Sequence, residues 1–532
     1  MATIAIITVS ITTRITACSK PSLNLIVYLL LFLGSATVGL WAAYDYEQAL
    51  TKYLILIVAA LLAILLSQLD HQGSIVHVYL GTGALLFSIA FLGILLFDIN
   101  QGELLTPNRL AGLIGILTPF LVLTYIQSES KLLQYLSLGA GLIVILALLL
   151  SGSRGGIAAL LVGLAFWKIL TVQRIIGRKS KLIIGSTLFS LTMLGTVSLF
   201  FSQQLSTSIF SFIPSSTSRL TLYTNLQYLL TDYWLLGGGL NSFSGHYSQY
   251  VLSIPFLRFT YGHHLYLDLI LEQGIIGISS FCILVVSSLI FLLTDGLDAD
   301  QDRKKQHFTG AILASLTTLI LHGFIDNAIY SNAGSTMLFI GPALAFSLAK
   351  TQQTNRLIKR LNLVVLSAFI IIGISLNTKL ISTWHANAGS IEMAKIQLAE
   401  WPTGEWSRGE STEALQKVIP TFETALEQNR QNTSAHFRLG LIALDRHDFP
   451  AAAVHLAEAQ KTNQSHIGIQ KNLGYAYLWS SDFDKAKTQL QSLENIQNEL
   501  DAYRWWWQEL NRPDLSDIAR DAHQTGITSN NE

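Results

Sequence analysis

Charge is what this sequence has least of. Aspartate, glutamate, lysine and arginine make up 13% of its 532 residues, about half the share of an ordinary soluble protein. The two signs balance at 34 against 34, so no global field draws the chain to nucleic acid. Cysteine is nearly missing. Cys18 and Cys282 lie far apart in terminal or apolar sequence, which excludes a disulfide framework and a cysteine metal centre. No Walker loop, no dinucleotide-binding glycine fingerprint and no serine-hydrolase elbow occurs along the chain, so the familiar nucleotide and hydrolase signatures are absent. What the chain does have is apolar sequence: 50% of its residues are hydrophobic and its mean hydropathy is +0.43. Such a composition predicts an all-α, polytopic membrane protein.

Runs of about 20 apolar residues have the length of a membrane-spanning helix. They fall at 24–44, 52–69, 75–97, 107–126, 131–150, 155–173, 182–201, 265–293, 308–325, 328–348 and 361–378. The expectation is therefore about 11–12 transmembrane helices. Residues 1–23 form an amino-terminal leader, either a weak signal peptide or an uncleaved interfacial segment. Residues 24–381 form the membrane domain, with a long polar and aromatic loop at 202–264, and residues 382–532 form a hydrophilic domain. Basic residues set the orientation, because short cytoplasmic loops collect lysine and arginine. One set of loops holds Arg174, Arg178, Lys179 and Lys181, then Arg303, Lys304 and Lys305, then Lys350, Arg356, Lys359 and Arg360. The other holds only Lys52, Arg109, Arg154, Arg219 and Arg258. The asymmetry predicts a cytoplasmic amino terminus and places both the 202–264 loop and the carboxy-terminal domain on the outer face.

The carboxy-terminal domain repeats itself. "FRLGLIALDRHDFPAAAVHLAEA" aligns with "KNLGYAYLWSSDFDKAKTQL" at an offset of 34 residues, matching Leu439-Gly440 with Leu473-Gly474, Ala452 with Ala486 and Leu456 with Leu490. The period and the small residues at helix contacts resemble the tetratricopeptide repeat, whose stacked helical hairpins bind partners more often than they catalyse. Phe422 and Ala425, upstream, keep the same phase.

The few ionisable residues on the outer side carry whatever chemistry there is. Burying an arginine at membrane depth costs on the order of 3 kcal/mol, so Arg154 in "SGSRGG", Arg219 after "IPSSTS" and Arg258 before "TYGHH" need a reason. Guanidinium is permanently charged and binds phosphate with two parallel hydrogen bonds, so the three arginines suggest an anion site. In "RFTYGHHLYLDLILEQGIIG", His264, Asp268 and Glu272 recur every four residues on one helical face, with His263 at the helix start. A neutral imidazole there suits general-base work near neutral pH. Gly274 and Gly277 suit close helix packing. His322 and Asp326 in "LHGFIDNAIYSN" stand four apart near an outer membrane end and are candidate cavity-lining residues, as are Asp268 and Glu272. The aspartates of "TDGLDADQD" read as a solvated acidic loop.

"HHLYLDLILEQGIIG" resembles the signature of the O-antigen ligase and polymerase superfamily: a histidine, usually followed by an amide or serine residue, and after a short spacer G-x-x-G. His263 takes the place of the signature histidine. His264 stands where the amide or serine is usual, which leaves open which of the two histidines acts. "SGSRGG" and "SRLTLYTNLQYLLTDYWLLGGGLNSF" resemble two further family motifs, in the family's order, and the resemblance runs over roughly residues 100–345. It implies a membrane glycosyltransferase without cofactor or metal. Such an enzyme moves a glycan from undecaprenyl pyrophosphate to a lipid, polysaccharide or protein acceptor outside the bacterial inner membrane. On that reading Arg154, Arg219 and Arg258 bind the pyrophosphate, and His263 or His264 deprotonates the acceptor. The repeats favour a protein partner. Two other classes compete: a polyprenyl-glycan transporter, which calls for ionisable residues at the bilayer midplane, and a membrane anchor for the repeats, which leaves the arginines and His263 without a task.

Overall fold

The computed structural model describes residues 21–68, 76–96, 106–172, 216–251, 261–296, 303–332, 334–348, 352–399, 401, 413–493 and 496–524. Among the described residues there are helices and turns and no strand. The membrane part begins with α1 (Leu23–Ala42), α2 (Tyr46–Leu66), α3 (Val76–Leu96), α4 (Pro107–Gln127), α5 (Lys131–Leu150) and α6 (Arg154–Val172). The chain continues with α7 (Ser216–Tyr233), α8 (Phe243–Val251), α9 (Leu265–Phe291), α10 (Arg303–His322), α11 (Ile340–Ser347) and α12 (Gln352–Ser375). The remaining helices are α13 (Asn377–Gln397), α14 (Ile419–Gln428), α15 (Thr433–Asp445), α16 (Phe449–Thr462), α17 (Ile467–Trp479), α18 (Phe483–Leu490), α19 (Ile496–Glu509) and α20 (Pro513–Gln524).

Seven helical stretches among the described residues are long and apolar enough to cross a bilayer: Leu23–Ala42, Tyr46–Leu66, Val76–Leu96, Pro107–Gln127, Lys131–Leu150, Leu265–Thr294 and Arg356–Ser375. At 1.5 Å per residue each reaches across a hydrocarbon core of about 30 Å. Their burial pattern is that of a protein in lipid. In α5 the residues turned inward include Ser137, Ala140, Val144 and Ala147, while Leu132, Leu142 and Leu149 are exposed. Small residues face neighbouring helices and large apolar ones face outward, as expected where lipid, not water, covers the surface. The chain is a multi-pass membrane protein.

Three expectations change. The run at 328–348 is not one helix. Two 3-10 turns, Ala328–Tyr330 and Ser335–Met337, precede the short α11. Hydroxyls break the run: Ser331 Oγ donates to the Ala328 carbonyl and accepts from the Gly334 amide, and Ser335 Oγ donates to the Ser331 carbonyl. Such local side-chain bonds offer the backbone an alternative to helix. Next, α2 starts at Tyr46, so Lys52 lies in its second turn and not at its outer edge. Finally, α6 and α10 form where spans at 155–173 and 308–325 are expected but stand outside the seven, and the expected span at 182–201 lies outside the described residues. Most of residues 1–23 lies outside them as well.

The chain divides into two compact units. One comprises Met1–Trp41, Tyr46–Thr224 and Thr260–Ala368; the other comprises Ala42–Asp45, Asn225–Phe259 and Phe369–Glu532. Close approach of helices holds the first unit. A Cβ added to Gly163 of α6 would sit 2.6 Å from the Ala314 carbonyl oxygen of α10, and one added to Gly115 of α4 would meet Thr318 of α10 at 3.3 Å. The second unit contains hairpins that keep a 34-residue offset, α15 and α17 beginning at Thr433 and Ile467, α16 and α18 at Phe449 and Phe483. The equivalent glycines, Gly440 and Gly474, lie against Leu456 and Leu490.

Candidate active site

The two adjacent histidines before α9 point to different partners. His264 is the N-cap. Its Nδ1 accepts from the Leu267 amide at 3.2 Å, and its buried ring packs among Tyr223, Tyr266 and Phe324. A capped amide is one of the four that a helix start leaves without a partner. His263 has φ +51°, in the left-handed region, where histidine is among the non-glycine residues found more often. Its ring keeps 28% exposure and brings Nδ1 to 3.2 Å from Asp326 Oδ2, a carboxylate that is itself fully buried. With the carboxylate accepting, Nδ1 carries the proton and the Nε2 lone pair is left for another group. Tyr261 lies against the His263 ring at 4.2 Å between centroids, and the Arg109 guanidinium stacks 3.7 Å from the Tyr261 ring centre. The Tyr223 hydroxyl donates to the His263 carbonyl at 3.1 Å.

Further along α9 the carboxylates are tied internally. Asp268 accepts from the Gly262 amide at 3.1 Å and from the Asn327 side chain, which holds the loop before α9 against the turn after α10. Glu272 accepts from Lys52 at 2.7 Å, both groups being almost fully buried. Lys52 Nζ also stands 3.6 Å above the Tyr330 ring. Gln273 donates to the Tyr330 hydroxyl at 2.6 Å and accepts from Ser35 at 2.8 Å. Gly274 then interrupts the helix with φ +65° and ψ −166°, a conformation open to glycine. Among the described residues Asp326 Oδ1 and Asn327 Oδ1 are buried acceptors without a hydrogen-bond partner, unusual for a folded interior.

His263, His264, Asp268 and Asp326 thus come together, while Glu272 reaches a separate partner in α2. His322 fills a slot between α4 and α6: a Cβ on Gly112 would lie 2.5 Å from its Cε1, and one on Gly156 would lie 3.5 Å from its Cδ2. Arg154 is the exposed first residue of α6, Arg219 lies in the first turn of α7, and Arg258 lies outside the described residues. Sequence reasoning missed Lys52, Arg109, Tyr261, Gln273, Asn327 and Tyr330. Lys52 within "YEQALTKYLILIV" and Arg109 after "TPN" both mark span starts, and read as loop charges they lost their signal.

A comparison with known families bears on this arrangement. Residues 139–282 match the family model described as O-antigen ligase. Over that stretch the chain is similar to the O-antigen ligase family. The matched segment contains Arg154, Arg219, Arg258 and His263, whereas Asp326, Lys52 and Arg109 lie beyond it. No curated protein and no solved structure matches the chain. The match supports membrane glycan transfer of the O-antigen ligase type in general.

Proposed function

We propose that the chain transfers a glycan from undecaprenyl pyrophosphate to an acceptor hydroxyl on the outer face of the bacterial inner membrane, with His263 as the general base. The observation that carries this reading is the contact between His263 Nδ1 and the buried Asp326 carboxylate, beside a ring that stays partly exposed. Asp326 fixes the tautomer and orientation, so Nε2 can accept the acceptor's proton. The acceptor oxygen then forms its bond to the anomeric carbon as the bond from that carbon to the pyrophosphate oxygen breaks. The electron pair leaves on the pyrophosphate, whose charge arginines offset. Arg154, Arg219 and Arg258 are the proposed donor ligands, and Arg109, already held over Tyr261, is a further cation at a helix start. Asp326 Oδ1, with no hydrogen-bond donor among the described residues, suits a second hydroxyl of the acceptor. No step calls for a metal, so a chelator leaves transfer unchanged on this mechanism.

The test incubates the purified full-length protein with lipid-linked glycan and, separately, lipid A–core, a polysaccharide and a protein acceptor. Sugar should appear on one acceptor with the native protein and on none with His263→Ala. Equal transfer by His263→Ala overturns the base assignment, and an unconsumed donor under every condition overturns the enzyme reading.

A further inference from the structure

Three successive hairpins of the second unit reach for the same stretch of chain. From α13, Asn387 Oδ1 accepts from the Leu236 amide at 2.8 Å and its Nδ2 donates to the Gly237 carbonyl at 3.4 Å. From α15, Arg438 donates through Nε and Nη2 to Asp232 Oδ2 at 3.0 and 2.7 Å, and Ser434 donates to Asp232 Oδ1. Just before α17, the Ser465 carbonyl accepts from the Tyr228 hydroxyl at 2.8 Å, and the His466 ring lies 4.4 Å from the Tyr228 ring. Asp232, Asn387, Ser434, Arg438 and His466 are all buried. Each tie comes from the first helix of a hairpin or from the residues just before it, and stacked hairpins of this kind build extended binding surfaces. The segment they hold ends in a turn only glycine fits: Gly239 has φ +112°, and a Cβ there would lie 2.5 Å from the Ala43 Cα.

We propose that the first-helix face of the hairpins is an intramolecular docking site whose ligand is this chain's own segment 225–240, and that Asp232 and Arg438 act there as positioning residues for α7. The face is filled in cis, so an external protein does not take it. Arg219 stands in the same helix as Asp232, on the amino-terminal side of it. Fixing the far end of α7 therefore limits where Arg219 can go. That second half rests on the donor-binding role given to Arg219 above; the docking half does not.

The test uses the full-length protein in lipid nanodiscs. The double variant Asp232→Ala/Arg438→Ala removes both charges together, which avoids stranding one in the interior. Hydrogen exchange over 225–240 should quicken by about tenfold or more while α16 and α18 keep their protection, because exchange reports local opening. The donor KM should rise several-fold with kcat less affected. Unchanged exchange over 225–240 overturns the docking. Faster exchange with an unchanged donor KM overturns the positioning role. If the double variant does not fold, Tyr228→Phe with Asn387→Ser removes peripheral ties only and is read by the same two criteria. Exchange needs no turnover, so absence of transfer in the native protein would defeat the catalytic reading and leave the docking result standing.

Discussion

Two neighbouring histidines show how much one residue's role depends on the partner its backbone allows. His264 is spent on the Leu267 amide, and asparagine caps helices about as well as any residue. His264→Asn should therefore keep both fold and transfer, whereas His264→Ala should cost about 1 kcal/mol in thermal unfolding. His263→Ala should lower kcat by roughly a hundred- to ten-thousand-fold, the usual weight of a general base. Asp326→Asn should lower kcat and leave the donor KM unchanged, because it disturbs the tautomer and not the donor site. The sequence already singled out both histidines, Asp268, Glu272 and Asp326 by their chemistry in apolar surroundings. It could not separate the histidines, since the choice rests on a positive φ at His263 and a cap at His264. Nor could it pair Lys52 with Glu272, which stand 220 residues apart. Lys52→Met should destabilise by about 3–5 kcal/mol by stranding a buried carboxylate, and Lys52→Met/Glu272→Leu should recover most of that loss, as read in detergent melts.

Elements were legible where length alone decides. Runs near 20 residues became helices at 23–42, 76–96, 107–127 and 131–150 with bounds within a few residues of those expected. They were less legible at 328–348, where hydropathy counts apolar atoms but not the hydroxyls of Ser331 and Ser335 that turn the backbone back on itself. That irregular stretch brings Tyr330 to Lys52 and Gln273, and non-helical backbone in a membrane protein is tolerated where protein surrounds it. Packing between elements depends on small residues. Gly163→Leu has no room against the Ala314 carbonyl, so it should force α6 from α10 at a cost of about 1–3 kcal/mol or more. A lower melting temperature checks this, with Gly139→Leu as the control, because nothing lies within 4 Å of a Cβ at Gly139.

Across the whole molecule, the second unit responds to pH through groups that burial keeps neutral. Burial pushes His246 down to about 4 and His466 down to about 3. Both values lie below the histidine value in an unfolded chain, so their contribution is complete above about pH 6.5 and is lost as pH falls through that value toward the folded ones. At pH 5 the loss is about 2 kcal/mol for each histidine. Melting of the second unit, followed by the fluorescence of Trp479 and Trp507, should therefore fall between pH 7.5 and pH 5. The buried pair of Lys52 and Glu272 has a consequence for how the protein is made. Synthesis delivers α2 long before α9, and until α9 arrives the ammonium lacks Glu272, the carboxylate it pairs with in the folded protein. Placing a lone lysine in hydrocarbon costs on the order of 3 kcal/mol, so a nascent chain ending before residue 265 should leave the start of α2 at the headgroups, reachable by an aqueous thiol reagent at a cysteine replacing Leu54. Extending the chain through α9 should draw that position out of reach, making the final depth of the second helix an event of late translation.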